Sequence, residues 1–190
     1  MKKMWMTTAC LLLTTMVMGQ VSELSPTPQS CVVGKGTYPK PSIFLFKGLS
    51  ETDTVNQRIA KNLLPVQEKE GKYWKLVIGE ADDRSVRSVR KKVPQQNEGY
   101  YLRVRDHEII IAGRDERGTF YGLQTLKQLL RESTMQELEI TDYPDVPFRG
   151  IVEGYYGKPM DFETHLRMFC YYGANKMNIY LYGPKDDPYH

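Results

Sequence analysis

Cysteine, histidine and net charge are all scarce in this sequence. Three cysteines and three histidines are spread over 190 residues. There is no CxxC pair and no His-rich spacing, so neither a metal centre nor a bound cofactor is expected. Cys10, Cys31 and Cys170 sit in unrelated contexts, which excludes a disulfide scaffold. Lys and Arg number 26 against 23 Asp and Glu, a balance that gives nucleic acid no electrostatic footprint. The one local exception is Arg84, Arg87, Arg90, Lys91 and Lys92, which a solvated helix face accounts for. No apolar run reaches the roughly 18 to 20 residues of a membrane helix, so no membrane span is expected.

What is present is globular composition, 41% hydrophobic and 26% charged, with a distinct beginning. Lys2 and Lys3 precede the almost uncharged run Trp5 to Met18, and Val17-Met18-Gly19 closes it with small residues at the positions a signal peptidase reads. A surface helix would show polar residues alternating through the run, and a lipid attachment at Cys10 would not be followed by Leu11 to Met18. Residues 1–20 read as a cleaved signal peptide, and the mature protein as exported, either periplasmic or secreted. Removing Lys2 and Lys3 leaves basic and acidic residues balanced to within about one charge.

Residues 21–41 carry Pro26, Pro28, Pro39 and Pro41 and suit an extended entry segment better than a packed element. Residues 42–143 read as a small α+β domain. Ile43 to Phe46 and Trp74 to Ile78 are short strand patterns, and Ser50 to Leu64 has helical periodicity closed by Pro65. Tyr100 to Arg105 and Ile109 to Ile111 form a hairpin around Asp106-His107-Glu108, with His107 a solvated turn residue. Asp115 and Glu116 start a helix whose Phe120, Leu123, Leu126 and Leu130 should lie on the sheet.

Tyr143-Pro144-Asp145-Val146-Pro147 is a two-proline hinge that serves as the domain boundary. Beyond it, 148–190 reads as strand (Phe148 to Tyr156), helix and strand (Met177 to Tyr182). Asp161 caps the helix, Phe162, Leu166, Phe169 and Cys170 are its apolar positions, and Gly173 is its left-handed end. Packing accounts for His165 and Cys170. Such a βαβ unit implies two parallel strands with the helix outside. Alone it leaves a sheet face and edges uncovered, and a (β/α)₈ barrel needs about 250 residues, so the chain is expected to end inside a domain.

Ligands of parallel barrels bind at the C-terminal strand ends. Both ends here are unusual: Glu153-Gly154-Tyr155-Tyr156-Gly157 brackets aromatics with glycines, and Gly183-Pro184-Lys185-Asp186-Asp187-Pro188-Tyr189-His190 stiffens a loop that carries a lysine and paired carboxylates. Glycine admits a ligand to the main chain, and tyrosine offers a face for a sugar.

The stretches RGIVEGYYGKPM and NKMNIYLYGPKDDPYH resemble the opening of the catalytic barrel in glycoside hydrolase family 84, the O-GlcNAcase and bacterial hyaluronidase-like β-N-acetylglucosaminidases. GRDERGTFYGLQTLKQLL is similar to the end of the small α+β domain that precedes the barrel there and in family 20 hexosaminidases. The resemblance covers roughly residues 40–190. It implies an N-terminal domain of the family 20 domain 2 type, followed by the first βαβ unit of an incomplete TIM barrel.

The function implied is hydrolysis of terminal β-linked N-acetylglucosamine from glycoproteins or glycans by substrate-assisted retaining catalysis. Gly154 would contact the sugar through its main chain, Lys185 would hydrogen-bond a sugar hydroxyl, and Tyr156 would wall the acetamido pocket. The two adjacent catalytic aspartates would lie beyond His190, leaving this chain without catalytic residues and inactive alone, with Asp186-Asp187 ordering the Lys185 loop. Glu153 is either an acid or a structural carboxylate inside the barrel. Two other readings remain: a family 20 β-hexosaminidase, which uses an Asp-Glu pair, and a non-catalytic carbohydrate-binding fragment.

Overall fold

Three consecutive isoleucines set the architecture of the first part of the chain. Ile109, Ile110 and Ile111 lie in one strand and are 0%, 3% and 0% exposed. Alternate strand residues face opposite sides of a sheet, so all three are buried only if both sides are covered. The computed structural model describes residues 23–50, 52–63, 74–154 and 160–183. In it the strands β1 (Ser30–Pro39), β2 (Phe44–Gly48), β3 (Trp74–Glu80), β4 (Tyr100–Arg105), β5 (Glu108–Gly113) and β6 (Thr134–Asp142) form one sheet in the order β1-β6-β4-β5-β3-β2. β2, β3 and β5 run parallel, and β4, β6 and β1 are added antiparallel. With α1 (Thr54–Leu63) and α2 (Glu116–Leu129), this is the expected α+β domain.

On one face Ile109 and Ile111 join Leu76, Ile78, Leu102 and Val104 under Leu123, Leu126 and Leu129 of α2. Asp115 starts that helix as expected, its Oδ1 accepting from Gly118 N at 2.8 Å. On the other face Ile110 packs with Val77, Tyr101 and Ala112 against Val86, Val89 and Val93. Those valines belong to a stretch with two 3₁₀ turns, Arg84–Val86 and Arg90–Lys92, so the basic cluster interleaves with buried valines rather than lining one α-helix face. Arg90 pairs with Asp82, and Lys92 with Glu139.

β4 and β5 form the expected hairpin. Asp106 and His107 adopt φ of 49° and 60°, the left-handed pair of a two-residue turn that matches strand twist. His107 is exposed but not merely solvated, because its ring lies 5.0 Å from that of Tyr38 and 5.2 Å from that of Trp74.

The proline-rich stretch corrects the reading of residues 21–41 as an entry segment outside the packed elements. It supplies β1, an edge strand whose register on β6 shifts between Val33 and Thr37. Proline is tolerated at an edge, and the glycines suit the irregularity: Gly36 N donates to Glu137 Oε2, and a Cβ on Gly34 would lie 2.6 Å from the Glu137 side chain. β6 itself, with Met135, Leu138 and Ile140 buried, is a strand to which the sequence reading assigns no element.

Past the hinge, β7 (Gly150–Glu153) and β8 (Ile179–Tyr182) pair in parallel, connected by α3 (Phe162–Ala174). Asp161 caps α3 as expected, accepting from Thr164 N at 2.7 Å. The left-handed residue at its end is Lys176 at φ 60°, not Gly173, which lies inside the helix. No helix of the described residues is long and apolar enough to cross a membrane.

Candidate functional site

The βαβ unit is fastened to the α+β domain by charged groups that close on one another. Arg149, immediately before β7, donates from Nη2 to Glu98 Oε2 at 2.7 Å, from Nη1 to Val146 O at 2.8 Å and from Nε to Lys176 O at 2.9 Å. Asn178 Nδ2 adds donations to Glu98 Oε1 at 3.0 Å and to Pro147 O at 2.8 Å. Burial pushes the Glu98 carboxyl up, but hydrogen bonds from Arg149, Asn178 and Arg117 outweigh it and hold the group below its ordinary value.

A second pair lies alongside. Lys176 Nζ donates to Asp142 Oδ2 at 2.7 Å and to Tyr100 OH at 3.0 Å, with both charged side chains about nine-tenths buried. Desolvation lowers the Lys176 ammonium despite the opposing pull of Asp142, and burial followed by the Asp142 charge raises the Tyr100 phenol well above its usual value. These side chains line a cavity of about 150 Å³ at the junction. Each of them is paired, so the cluster sets the orientation of β7 and β8 rather than presenting a vacant receptor.

Orientation matters because the two strands end side by side. Glu153 is opposite Tyr182 in the register, and Gly183 N donates to Glu153 O at 2.8 Å. Thus Gly154 and Gly183 leave the sheet from adjacent points. The Glu153 side chain, 2% exposed, accepts at Oε2 from His165 Nε2 at 2.8 Å and from Tyr180 OH. Its Oε1 is buried and has no partner among the described residues. His165 is therefore a hydrogen-bonding helix residue rather than simple packing, whereas Cys170 on the same helix is exposed.

Of the residues expected to touch sugar, Gly154 is described and exposed. Among the described residues a Cβ built there would meet only Val152 Cγ1, at 3.7 Å, and its φ lies outside the left-handed region. The main chain at this position is exposed, and its conformation does not demand glycine. Lys185, Tyr156 and the pair Asp186-Asp187 lie outside the described residues. The junction residues Glu98, Asp142, Arg149, Lys176 and Asn178 are absent from the sequence-level candidates. The only local signal for them is a charged or polar residue near the ends of apolar strands, and the side-chain pairings among them span 34 to 80 residues.

Comparison with known proteins places the two parts of the chain in one class. Residues 21–143 match the model of glycosyl hydrolase family 20, domain 2, and residues 149–190 match that of beta-N-acetylglucosaminidase. A beta-hexosaminidase of Porphyromonas gingivalis is 29% identical over 103 residues, which is 47% of this chain and 13% of that protein. A probable alpha-glucuronidase A of Aspergillus fumigatus is 26% identical over 98 residues, 46% of this chain and 12% of that protein. The solved structure of CpGH84B superposes with a TM-score of 0.75 at 33% identity, covering 88% of this chain and 31% of that one. A beta-N-acetylhexosaminidase from Bacteroides fragilis shares the fold, with a TM-score of 0.59 at 22% identity over 86% of this chain and 33% of that one.

The chain spans about an eighth of the curated relatives and about a third of the solved ones. The family 20 domain 2 match alone extends over more than half of the sequence, and the chain belongs to the glycoside hydrolases that carry that domain. More particularly, it is a family 84-like N-terminal portion, since the beta-N-acetylglucosaminidase segment follows that domain and CpGH84B matches both together.

Proposed function

We propose that the protein containing this chain removes terminal β-linked N-acetylglucosamine from glycans or glycoproteins by substrate-assisted retaining hydrolysis. The observation that carries this reading is the match of residues 149–190 to a β-N-acetylglucosaminidase, on a unit whose two parallel strands end side by side at Gly154 and Gly183. In this reading β7-α3-β8 is the start of a TIM barrel, and the sugar lies over the strand ends.

Gly154 meets the sugar through its exposed main chain, and Lys185 donates to a hydroxyl. In the substrate-assisted course, the acetamido oxygen of the substrate attacks the anomeric carbon while the glycosidic oxygen takes a proton and leaves. The acid and base are supplied by an aspartate pair outside these 190 residues, so the chain alone positions substrate without turning it over. The protein is exported after loss of residues 1–20.

The test is turnover of an aryl β-N-acetylglucosaminide by the full-length protein, with the first-formed anomer followed by NMR. Retention of configuration with activity indifferent to chelator is expected, along with no turnover by residues 1–190. Inversion, or robust turnover by the short chain, would overturn the mechanism.

The match of residues 21–143 to family 20 domain 2, together with the similarity to a beta-hexosaminidase, favours a second reading, a family 20 enzyme. An adjacent Asp-Glu pair essential for activity, in place of Asp-Asp, would decide for it.

A further inference from the structure

We propose that Glu153 is a positioning residue: a buried anchor that fixes the two strand ends, at Gly154 and Gly183, against each other and against α3. Its bearing on sugar binding rests on the hydrolase reading above, while its structural part stands on geometry alone. Glu153 is the last residue of β7 and is 3% exposed. Its main-chain oxygen receives Gly183 N at 2.8 Å, which joins it to the end of β8. Its Oε2 receives Tyr180 OH from within β8 and His165 Nε2, at 2.8 Å, from α3. One residue thus connects both strands and the helix at the end where Gly154 and Gly183 lie.

The His165 ring is held in turn, with ring centroids 6.1 Å from Phe169 and 6.0 Å from Tyr182. Against a carboxylate, Nε2 is the nitrogen that carries the proton, so the pairing fixes the His165 tautomer. Both donors converge on Oε2, leaving Oε1 buried and without a partner among the described residues. A side chain serving only to fill space would be apolar here, because an unpaired buried acceptor is costly. A residue this buried also does not reach a sugar directly, which separates it from a proton donor. Its effect passes through the main chain of its neighbours.

The test uses the full-length protein with Glu153→Ala, Glu153→Gln and Tyr180→Phe, read by amide hydrogen exchange and by kinetics on an aryl β-N-acetylglucosaminide. In Glu153→Ala the Gly183 amide should exchange about tenfold faster or more, with the Leu102 and Ile140 amides still protected, and KM should rise about tenfold with a smaller change in kcat. Glu153→Gln keeps an acceptor oxygen for Tyr180 and His165 and should restore KM to within about threefold. If Glu153→Ala does not fold, Tyr180→Phe carries the same expectation at reduced size.

Unchanged Gly183 exchange in the alanine variant, or in Tyr180→Phe where alanine does not fold, would overturn the proposal. So would a loss of a hundredfold or more in kcat for Glu153→Gln, which would mark a proton-transfer group instead. Absence of turnover in the unmodified protein would remove the hydrolase reading only, and Gly183 exchange would still decide the anchor.

Discussion

Lys176 reaches back across 34 residues to Asp142, closing at 2.7 Å in a setting where both side chains are about nine-tenths buried. It does so from a left-handed backbone, φ 60°, at the turn that leads from α3 into β8. The junction therefore depends on a charge placed by an unfavourable local conformation, and its parts can be removed separately.

Removing only the ammonium should be costly. Lys176→Met leaves Asp142 buried without its counter-charge, and breaking a buried pair from one side costs about 3–5 kcal/mol. Adding Asp142→Leu should recover much of that loss, because no unpaired charge then remains. A double-mutant cycle by chemical denaturation measures the coupling.

Acid should loosen the same junction through Glu98. Its folded value is held below the ordinary one, so its contribution is fully present above about pH 4.3 and is lost as pH falls through the folded value. Thermal melts of the parent protein should drop on that acid side. Glu98→Gln should be less stable at neutral pH and show a flatter acid limb, and equal slopes in both proteins would count against the assignment.

At Gly118 local propensity and packing make opposite forecasts. Alanine is intrinsically better in a helix by about 1 kcal/mol, yet a Cβ here would lie 2.1 Å from Gly99 O. Gly118→Ala should therefore destabilise, by about 1–3 kcal/mol or more, as overpacking against backbone does. A raised melting temperature would show that the Gly99 turn yields freely.

Gly154 and Lys185 test the sugar contacts proposed above. Gly154→Val meets only Val152 among the described residues and sits at an ordinary φ, so melting should be unchanged while KM rises. Lys185→Ala should lose a charge-assisted hydrogen bond, roughly 1.5–3 kcal/mol, or one to two decades in kcat/KM. Wild-type kinetics in both variants would place the sugar elsewhere.

The N-terminus offers an independent check on export. Mass spectrometry of the mature protein should find cleavage near Gly19 or Gln20. Intact Met1 recovered from a cytosolic fraction would contradict that.

The parts of the fold legible in the sequence are those whose partners are near in the chain. The β4–β5 hairpin announces itself through β-branched runs around a short polar turn, and α2 through its apolar spacing and the Asp115 cap. β1 is not legible because Pro39 and its glycines, with more prolines on either side, deny strand character locally, and its partner β6 lies about a hundred residues away. Gly173 looked like the left-handed residue on intrinsic preference, but the structure spends that conformation on Lys176, whose ammonium is secured by Asp142 and Tyr100. The strand-end placement of Gly154 follows from the βαβ pattern, whereas the Glu153, His165 and Tyr180 grouping needs a tertiary contact between helix and sheet that no spacing rule encodes.

The irregular pairing of β1 has a consequence for association between molecules. A straight outer strand offers a regular row of amide and carbonyl groups on which another chain could crystallise as an added strand. Here the register shifts between Val33 and Thr37, and the Glu137 carboxylate, donated to by Gly36 N, lies against the glycines. A recruited strand would meet a broken ladder beside a negative charge, so this border of the sheet should resist fibrillar growth.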